Sequence, residues 1–87
     1  HSMGTVLSYH LIDIYKFAID KFITFGSPLC YMNINKPNTI NKWVNFYSPF
    51  DPISPFPIRS CDKNIRCFNW HNLESYVNSK YFTKCIF

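Results

Sequence analysis

The chain opens with His1-Ser2-Met3-Gly4, which matches a G-x-S-x-G motif without its leading glycine. In that motif the serine lies on a strained turn between a strand and a helix, and the turn holds its hydroxyl clear of the backbone. The glycine two positions later is expected to let the helix leave the strand closely, where a side chain would clash. The motif predicts that Ser2 is a nucleophile; the alternative is a serine that only caps the helix.

The residues after the motif show helix and strand patterns in turn. Leu7, Leu11 and Ile14 are spaced i, i+4, i+7 and predict one apolar face of a helix. Runs rich in β-branched and aromatic residues predict short buried strands. The predicted elements are a helix over residues 3–17, strands over 22–25, 43–47 and 65–70, and helical segments over 73–78 and 79–86. A strand, a helix and a strand within so few residues indicate a parallel crossover, so the expected class is α/β, with about three parallel strands and flanking helices.

A carboxylate and an imidazole each follow one of these strands. Asp51 lies in a proline-stiffened turn after the second strand, which suits a buried acid that orients a histidine; the alternative is an Asx-turn residue. His71 follows the third strand, and acyl transfer requires a group with a pKa near 7 to accept the serine proton. Asp62 is the second choice for the acid, whereas Asp13 and Asp20 belong to the helix and its exit and are expected to be solvated.

Other side chains compete for these roles. His1 is adjacent to Ser2 and is expected to point away along the strand, toward the surface or into packing. His10 lies two turns down the helix and is interpreted as structural. Ser27 lies in an exposed turn, but it lacks the helix that follows a nucleophile, so we expect it to line the site.

The segments 1–9, 23–29, 43–53 and 71–76 together resemble the C-terminal half of an α/β-hydrolase of the serine esterase and lipase type. The resemblance implies that Ser2 is the nucleophile, that Asp51 follows the seventh strand of the full sheet, and that His71 follows the eighth. The backbone N–H of Met3, at the start of the helix, is expected to stabilise an oxyanion. On this interpretation residues 1–87 are a partial domain that lacks its N-terminal strands, the leading glycine and the loop with the second oxyanion donor.

The function that the resemblance implies is hydrolysis of an acyl ester or lipid through an acyl-enzyme, with no metal and no organic cofactor. A thioesterase or an acyltransferase uses the same three residues. Phe50, Phe56 and Ile58 are candidates for an apolar acyl pocket, and Phe46 and Tyr47 for the core. The alternative from another class is a noncatalytic interaction module whose aromatic residues and positive charge bind a partner.

The composition of the chain limits the class of protein and the kinds of partner. The 87 residues are 47% hydrophobic and 20% aromatic and carry a formal charge of +4, which indicates a small globular domain and excludes a disordered chain. The lysines are scattered, which favours a solvated surface and predicts no nucleic-acid partner. No apolar run reaches the length of a transmembrane helix. Cys61, Cys67 and His71 lack a fourth zinc ligand, and mostly buried thiols are favoured over a Cys61–Cys67 disulfide.

Overall fold

A computed structural model describes residues 1–78. At its centre is a sheet of three parallel strands in the order β1-β2-β3. The elements in chain order are α1 (Met3–Tyr15), β1 (Ile19–Phe25), a short 3-10 helix (Pro28–Tyr31), β2 (Ile40–Tyr47), β3 (Lys63–Arg66) and α2 (Leu73–Val77). The predicted class, α/β with three parallel strands and flanking helices, is confirmed.

The strand bounds differ from the prediction where pairing, not hydrophobicity, decides them. β1 and β2 both begin earlier, since Ile19 pairs with Ile40 beyond the apolar runs. β3 ends at Arg66, and the prediction that it continues to residue 70 is wrong: the Cys67 N–H still donates to the Tyr47 carbonyl (2.7 Å), after which the chain leaves the sheet. The helix predicted over residues 79–86 lies outside the described residues.

Within residues 1–78, α1 packs on one face of the sheet and α2 on the other. On one face, Tyr9 and Ile12 of α1 share a buried cluster with Trp43 of β2. On the other face, Tyr76 of α2 packs with Phe46 and its neighbours. Side chains of a strand alternate between faces, so a strand covered on both sides is buried at successive positions, as β2 is over residues 43–46.

The helix face predicted for α1 is wrong. Leu7, Leu11 and Ile14 are exposed, and the buried residues of the helix are Thr5, Tyr9 and Ile12, which have the same spacing on the opposite face of the helix. The polar atoms of this second face are satisfied on burial, because the Tyr9 hydroxyl donates to the Asn35 carbonyl (2.8 Å) and Thr5 hydrogen-bonds with Ser27. The helix ends at Tyr15, where Lys16 adopts a left-handed conformation (φ 58°).

A ladder of polar side chains crosses the sheet at one register. Thr24, Asn45 and Asn64 are paired neighbours on β1, β2 and β3. The Thr24 hydroxyl donates to Asn45 Oδ1 (2.7 Å), and the Asn45 amide donates to Asn64 Oδ1 (3.1 Å). Trp43 Nε1 donates to the Thr24 hydroxyl (3.1 Å), and the Asn64 amide bonds both backbone groups of Ile58. A register slip would separate these buried partners, so the ladder specifies the alignment of the strands.

Substitution of Asn45 with Leu tests this ladder. The side chain is fully buried, and its loss removes an acceptor from Thr24 and a donor from Asn64. We expect the free energy of unfolding, measured by urea denaturation, to fall by about 3 kcal/mol, the cost of two buried hydrogen bonds. Asn41→Leu, on the exposed part of β2, should change stability by less than about 0.5 kcal/mol. Equal losses for the two variants would contradict the role of the ladder.

The cysteines within residues 1–78 form no disulfide with one another. The Cys61 thiol donates to the Ile58 carbonyl (3.2 Å), and burial raises its pKa to about 11. Burial likewise raises the pKa of the Cys30 thiol. A protonated thiol is a poor nucleophile, so the raised pKa values favour a structural role for Cys30 and Cys61.

Candidate active site

The site lies at the edge of the sheet where the parallel strands end. The Ser2 N–H donates to the Phe25 carbonyl (3.0 Å), and the Gly26 N–H donates to the Phe46 carbonyl (3.1 Å). The first bond places Ser2 beside the end of β1, and the second continues the pairing of β1 with β2 by one residue. The connections after β2 and β3 carry Asp51 and His71 to the same edge, where ligands bind in open α/β sheets.

Ser2 has a conformation that few non-glycine residues adopt. Its backbone angles are φ 57° and ψ −133°, and it precedes the first turn of α1 without forming a side-chain cap. Its Oγ instead lies 2.8 Å from His71 Nε2. Such a backbone costs about 1–3 kcal/mol, which the surrounding structure must offset. The interpretation of Ser2 as a plain helix cap is therefore wrong, because the hydroxyl is directed to an imidazole.

The imidazole of His71 connects the serine to a carboxylate. Nδ1 of His71 lies 2.8 Å from Asp51 Oδ2. Asp51 is fully buried, whereas the His71 side chain retains 25% of its exposure. An ionised carboxylate only accepts hydrogen bonds, so Nδ1 carries the proton and Nε2 is free to accept one from Ser2. The three side chains thus form one hydrogen-bonded chain from buried acid to half-buried serine.

Asp51 satisfies both of its predicted interpretations at once. Its Oδ1 accepts from the Ile53 N–H (2.9 Å), which is an Asx turn, while Oδ2 accepts from His71 and from the Tyr76 hydroxyl (2.6 Å). Burial opposes the negative charge, but the hydrogen bonds from Tyr76, His71 and Ile53 outweigh it, so the pKa of the Asp51 carboxyl lies below its usual value. The carboxylate is therefore ionised at neutral pH.

A buried serine that the sequence did not single out joins the two connections. Ser48 Oγ accepts from the N–H of Phe50 (3.2 Å) and from the N–H of Asn69 (3.0 Å). The first belongs to the segment that carries Asp51, and the second to the segment that carries His71. One hydroxyl therefore fixes both segments; the only sequence signal is a serine that begins a turn before a proline, which is common.

Of the two glycines, Gly26 and not Gly4 meets the site. A Cβ on Gly4 would have no neighbour within 4 Å among the described residues, so the predicted clash at the motif glycine is wrong. Gly26 has φ 56°, and a Cβ there would lie 3.0 Å from Asp51 Oδ2 and 3.0 Å from His71 Nδ1. The sequence predicted Gly26 only as the end of a strand, because the approach involves residues distant in the chain.

The amide predicted to bind an oxyanion remains available. The N–H groups of Gly4 and Thr5 donate to the carbonyls of His1 and Ser2. Within residues 1–78 the Met3 N–H, at the first position of α1, donates to no acceptor. It lies next to Ser2 at the positive end of the helix dipole. Its role as an oxyanion donor stays a prediction.

The competing residues have other partners. His1 stacks on His71, with ring centroids 4.7 Å apart, so the expectation that it points away is wrong although its packing role holds. His10 is exposed and contacts the edge of Tyr9. Ser27 does not line the site as predicted, because it is fully buried and its hydroxyl bonds with Thr5 and the Leu29 N–H.

The remaining aspartates take no part in this chain of hydrogen bonds. Asp13 and Asp20 are exposed, as predicted. Asp62 pairs with Lys36 (3.0 Å) and accepts from the Trp43 N–H (2.7 Å). The prediction of Asp62 as an alternative acid is therefore wrong, because its carboxylate binds Lys36 at the surface and the Trp43 N–H of β2.

Apolar side chains near the site are aromatic and exposed. The prediction that Ile58 lines an acyl pocket is wrong, because its side chain is buried in the core with Trp43. Phe50 is exposed and lies 6.1 Å from Phe68 and 6.4 Å from Trp70, measured between ring centroids. Phe50 and Trp70 directly precede Asp51 and His71, so this aromatic cluster of Phe50, Phe68 and Trp70 belongs to the segments that carry the site.

A cavity of about 660 Å³ lies elsewhere, between α1 and residues 33–39. None of Ser2, Asp51 and His71 lines it. Residues 1–78 contain no group of three or more side chains placed to hold a metal ion. Within the same residues, neither helix combines the length and the apolar character needed to cross a bilayer.

Comparison with known proteins gives no relative. No protein-family description, no curated protein and no solved structure matches the chain.

Proposed function

We propose that this protein is a serine hydrolase of the α/β-hydrolase type that cleaves carboxylic esters through an acyl-enzyme on Ser2. One observation carries the proposal: the hydrogen-bonded chain from Ser2 Oγ to His71 Nε2 and from His71 Nδ1 to Asp51 Oδ2, each 2.8 Å long. This arrangement is the one that removes a serine proton during nucleophilic attack.

In the first half of the reaction, Ser2 Oγ attacks the carbonyl carbon of the ester while His71 Nε2 accepts its proton. The carbonyl π electrons move to oxygen, and in this proposal the Met3 N–H donates to the resulting oxyanion. The negative charge of Asp51 stabilises the imidazolium. When the C–O bond of the ester breaks, His71 returns the proton to the leaving alcohol.

In the second half, water replaces the alcohol. His71 accepts a proton from the water while the water oxygen attacks the acyl carbon. The tetrahedral intermediate then collapses: the bond between the acyl carbon and Ser2 Oγ breaks, and His71 returns the proton to Oγ. The products are a carboxylic acid and the free enzyme. An acyltransferase or thioesterase would follow the same steps with another acceptor or another leaving group.

Three features support this proposal over a noncatalytic module. A serine with φ 57° is strained, a buried carboxylate is costly, and a glycine at positive φ leaves space for the Asp51 carboxylate and the His71 imidazole. A binding surface requires none of these. Strain and perturbed acids of this kind concentrate at catalytic sites.

The aromatic cluster supports an apolar substrate group. Phe50, Phe68 and Trp70 expose much of their surface, at 53%, 68% and 73%. Exposed aromatic side chains next to a reactive group favour ligands with acyl or aryl parts. The proposed substrate is therefore an ester with at least one apolar group, as in a lipid.

A fluorophosphonate probe tests the nucleophile. The purified protein should form a covalent adduct that mass spectrometry locates on Ser2, because phosphonylation uses the same proton transfer to His71 as acylation. Ser2→Ala should abolish the adduct. Ser8→Ala, in the middle of α1, is the control and should retain it. A label that persists in Ser2→Ala, or an unlabelled protein with native structure, would refute the proposal.

A further inference from the structure

The Tyr76 hydroxyl donates to Asp51 Oδ2, the same oxygen that accepts from His71. We propose that Tyr76 is a positioning residue, whose buried hydroxyl holds the Asp51 carboxylate in the orientation that binds His71. Its consequence for catalysis rests on the proposed function. The placement of the carboxylate does not, and it can be measured separately.

The carboxylate of Asp51 is fixed on three sides. Its Oδ1 accepts from the Ile53 N–H (2.9 Å), and its Oδ2 accepts from Tyr76 (2.6 Å) and His71 (2.8 Å). Without Tyr76, only the bond from Ile53 and the bond from the imidazole itself would resist rotation of the carboxylate. A side chain fixed by several hydrogen bonds is held in the geometry that the chemistry requires.

The tyrosine is itself held by the core. Tyr76 is fully buried among Val44, Phe46 and Ile65, and its ring lies 6.1 Å from that of Phe25, measured between centroids. Its hydroxyl therefore has a fixed position relative to the strands. A tyrosine on a mobile segment could not orient an acid.

Tyr76 belongs to the same chain segment as His71, because it lies on the short helix α2 that follows His71. Directly after His71, the Asn72 side chain accepts from the Ser75 N–H (3.3 Å) and starts α2. The short helix then places Tyr76 over Asp51 on the same side as His71. Two contacts from one segment, His71 and Tyr76, thus reach the same carboxylate.

The hydroxyl serves as a neutral donor. Burial and the nearby Asp51 carboxylate raise the pKa of the Tyr76 phenol, so it stays protonated. A lysine or arginine in its place would cancel the charge that stabilises the His71 imidazolium, whereas a phenol leaves that charge in place. Four other titratable groups lie near Tyr76 and Asp51: His71, His1, Cys30 and Cys67.

Tyr76→Phe tests the proposal, because it removes the hydroxyl and keeps the ring. We expect the pKa of the Asp51 carboxyl, followed by carbon NMR, to rise by about one pH unit. The carboxylate loses the hydrogen bond from Tyr76, which opposes the effect of burial on this pKa. The proton resonance of His71 Nδ1–H should shift and broaden. Fluorophosphonate labelling of Ser2 should become about tenfold slower, the effect of one lost bond to a charged group.

Tyr9→Phe is the matched control. Tyr9 is also buried and donates one hydrogen bond, to the Asn35 carbonyl, but on the opposite face of the sheet. It should lower stability without changing the Asp51 pKa, the His71 resonance or the labelling rate. If Tyr76→Phe fails to fold, 3-fluorotyrosine at position 76 provides a stronger donor of nearly the same size, and the Asp51 pKa should then fall.

The outcomes separate this inference from the proposed function. If wild-type protein is not labelled but Tyr76→Phe still changes the Asp51 pKa and the His71 resonance, positioning holds and the hydrolase proposal fails. If labelling occurs but neither variant at position 76 changes either NMR signal, Tyr76 is only a packing residue and the inference is overturned.

Discussion

Replacement of Asp51 with Asn is expected to slow acylation of Ser2 by about 10⁴-fold. The amide has the shape of the carboxylate, but one side of it faces two donors, His71 and Tyr76, and the other faces the Ile53 N–H. If the amide oxygen faces His71, the NH₂ group lies against the Ile53 N–H, so that two donors face each other. If the NH₂ group faces His71, it requires the tautomer in which Nε2 carries the proton and cannot accept one from Ser2.

The rate of fluorophosphonate labelling, followed by stopped flow, measures this effect. Asp62→Asn is the control, because it loses a surface pair with Lys36 while the site is unchanged. It should react at the wild-type rate. A loss of less than tenfold in Asp51→Asn would mean that the carboxylate does not stabilise the imidazolium, and the proposed mechanism would then be wrong.

Gly26→Ala should reduce the same rate by about 10²-fold, the effect of displacing reacting groups by roughly 1 Å. The new Cβ would lie 3.0 Å from both Asp51 Oδ2 and His71 Nδ1, which is closer than ordinary packing allows. These side chains must move apart or tilt, and the imidazole then loses its alignment with Ser2. The left-handed backbone at φ 56° adds about 1–2 kcal/mol of destabilisation.

Gly4→Ala separates this local effect from a general sensitivity of glycine positions. Its Cβ would have no neighbour within 4 Å among the described residues, and alanine favours the helix by up to about 1 kcal/mol. The variant should label at the wild-type rate and unfold at the same or a higher temperature. Similar losses of rate in Gly4→Ala and Gly26→Ala would contradict the assignment of Gly26 to the site.

The sequence predicted the residues that meet at the sheet edge better than it predicted what holds them. Asp51 and His71 each follow a strand of a parallel sheet, and such a sheet brings the ends of its strands to one edge. Ser2 reaches the same edge because its N–H bonds to the carbonyl of Phe25, the last residue of β1. Their catalytic role stays a prediction. Ser48 and Tyr76 could not be found in this way, because their contacts depend on the path of irregular segments, which no periodicity encodes.

Two of the wrong predictions have a common physical origin. Along α1, hydrophobicity favoured Leu7 over Tyr9 as a buried residue, but Tyr9 is buried because its hydroxyl finds an acceptor in the Asn35 carbonyl. After β3, an apolar run suggested a longer strand, yet Phe68 and Trp70 are exposed. In both places a hydrogen-bond partner distant in sequence is decisive: the Asn35 carbonyl for Tyr9 and, for the segment after β3, Ser48 Oγ, which accepts from the Asn69 N–H.

The buried amides and hydroxyl that align the strands also limit where the chain can change in length. Because Thr24, Asn45 and Asn64 fix the offset between strands, acid and base stay in reach of each other only while residues 47–51 and 66–71 keep their present spans. Residues 32–39 contribute no side chain to the site. Insertions within residues 32–39 are therefore compatible with the chemistry, whereas insertions within residues 47–51 or 66–71 would separate the acid from the base.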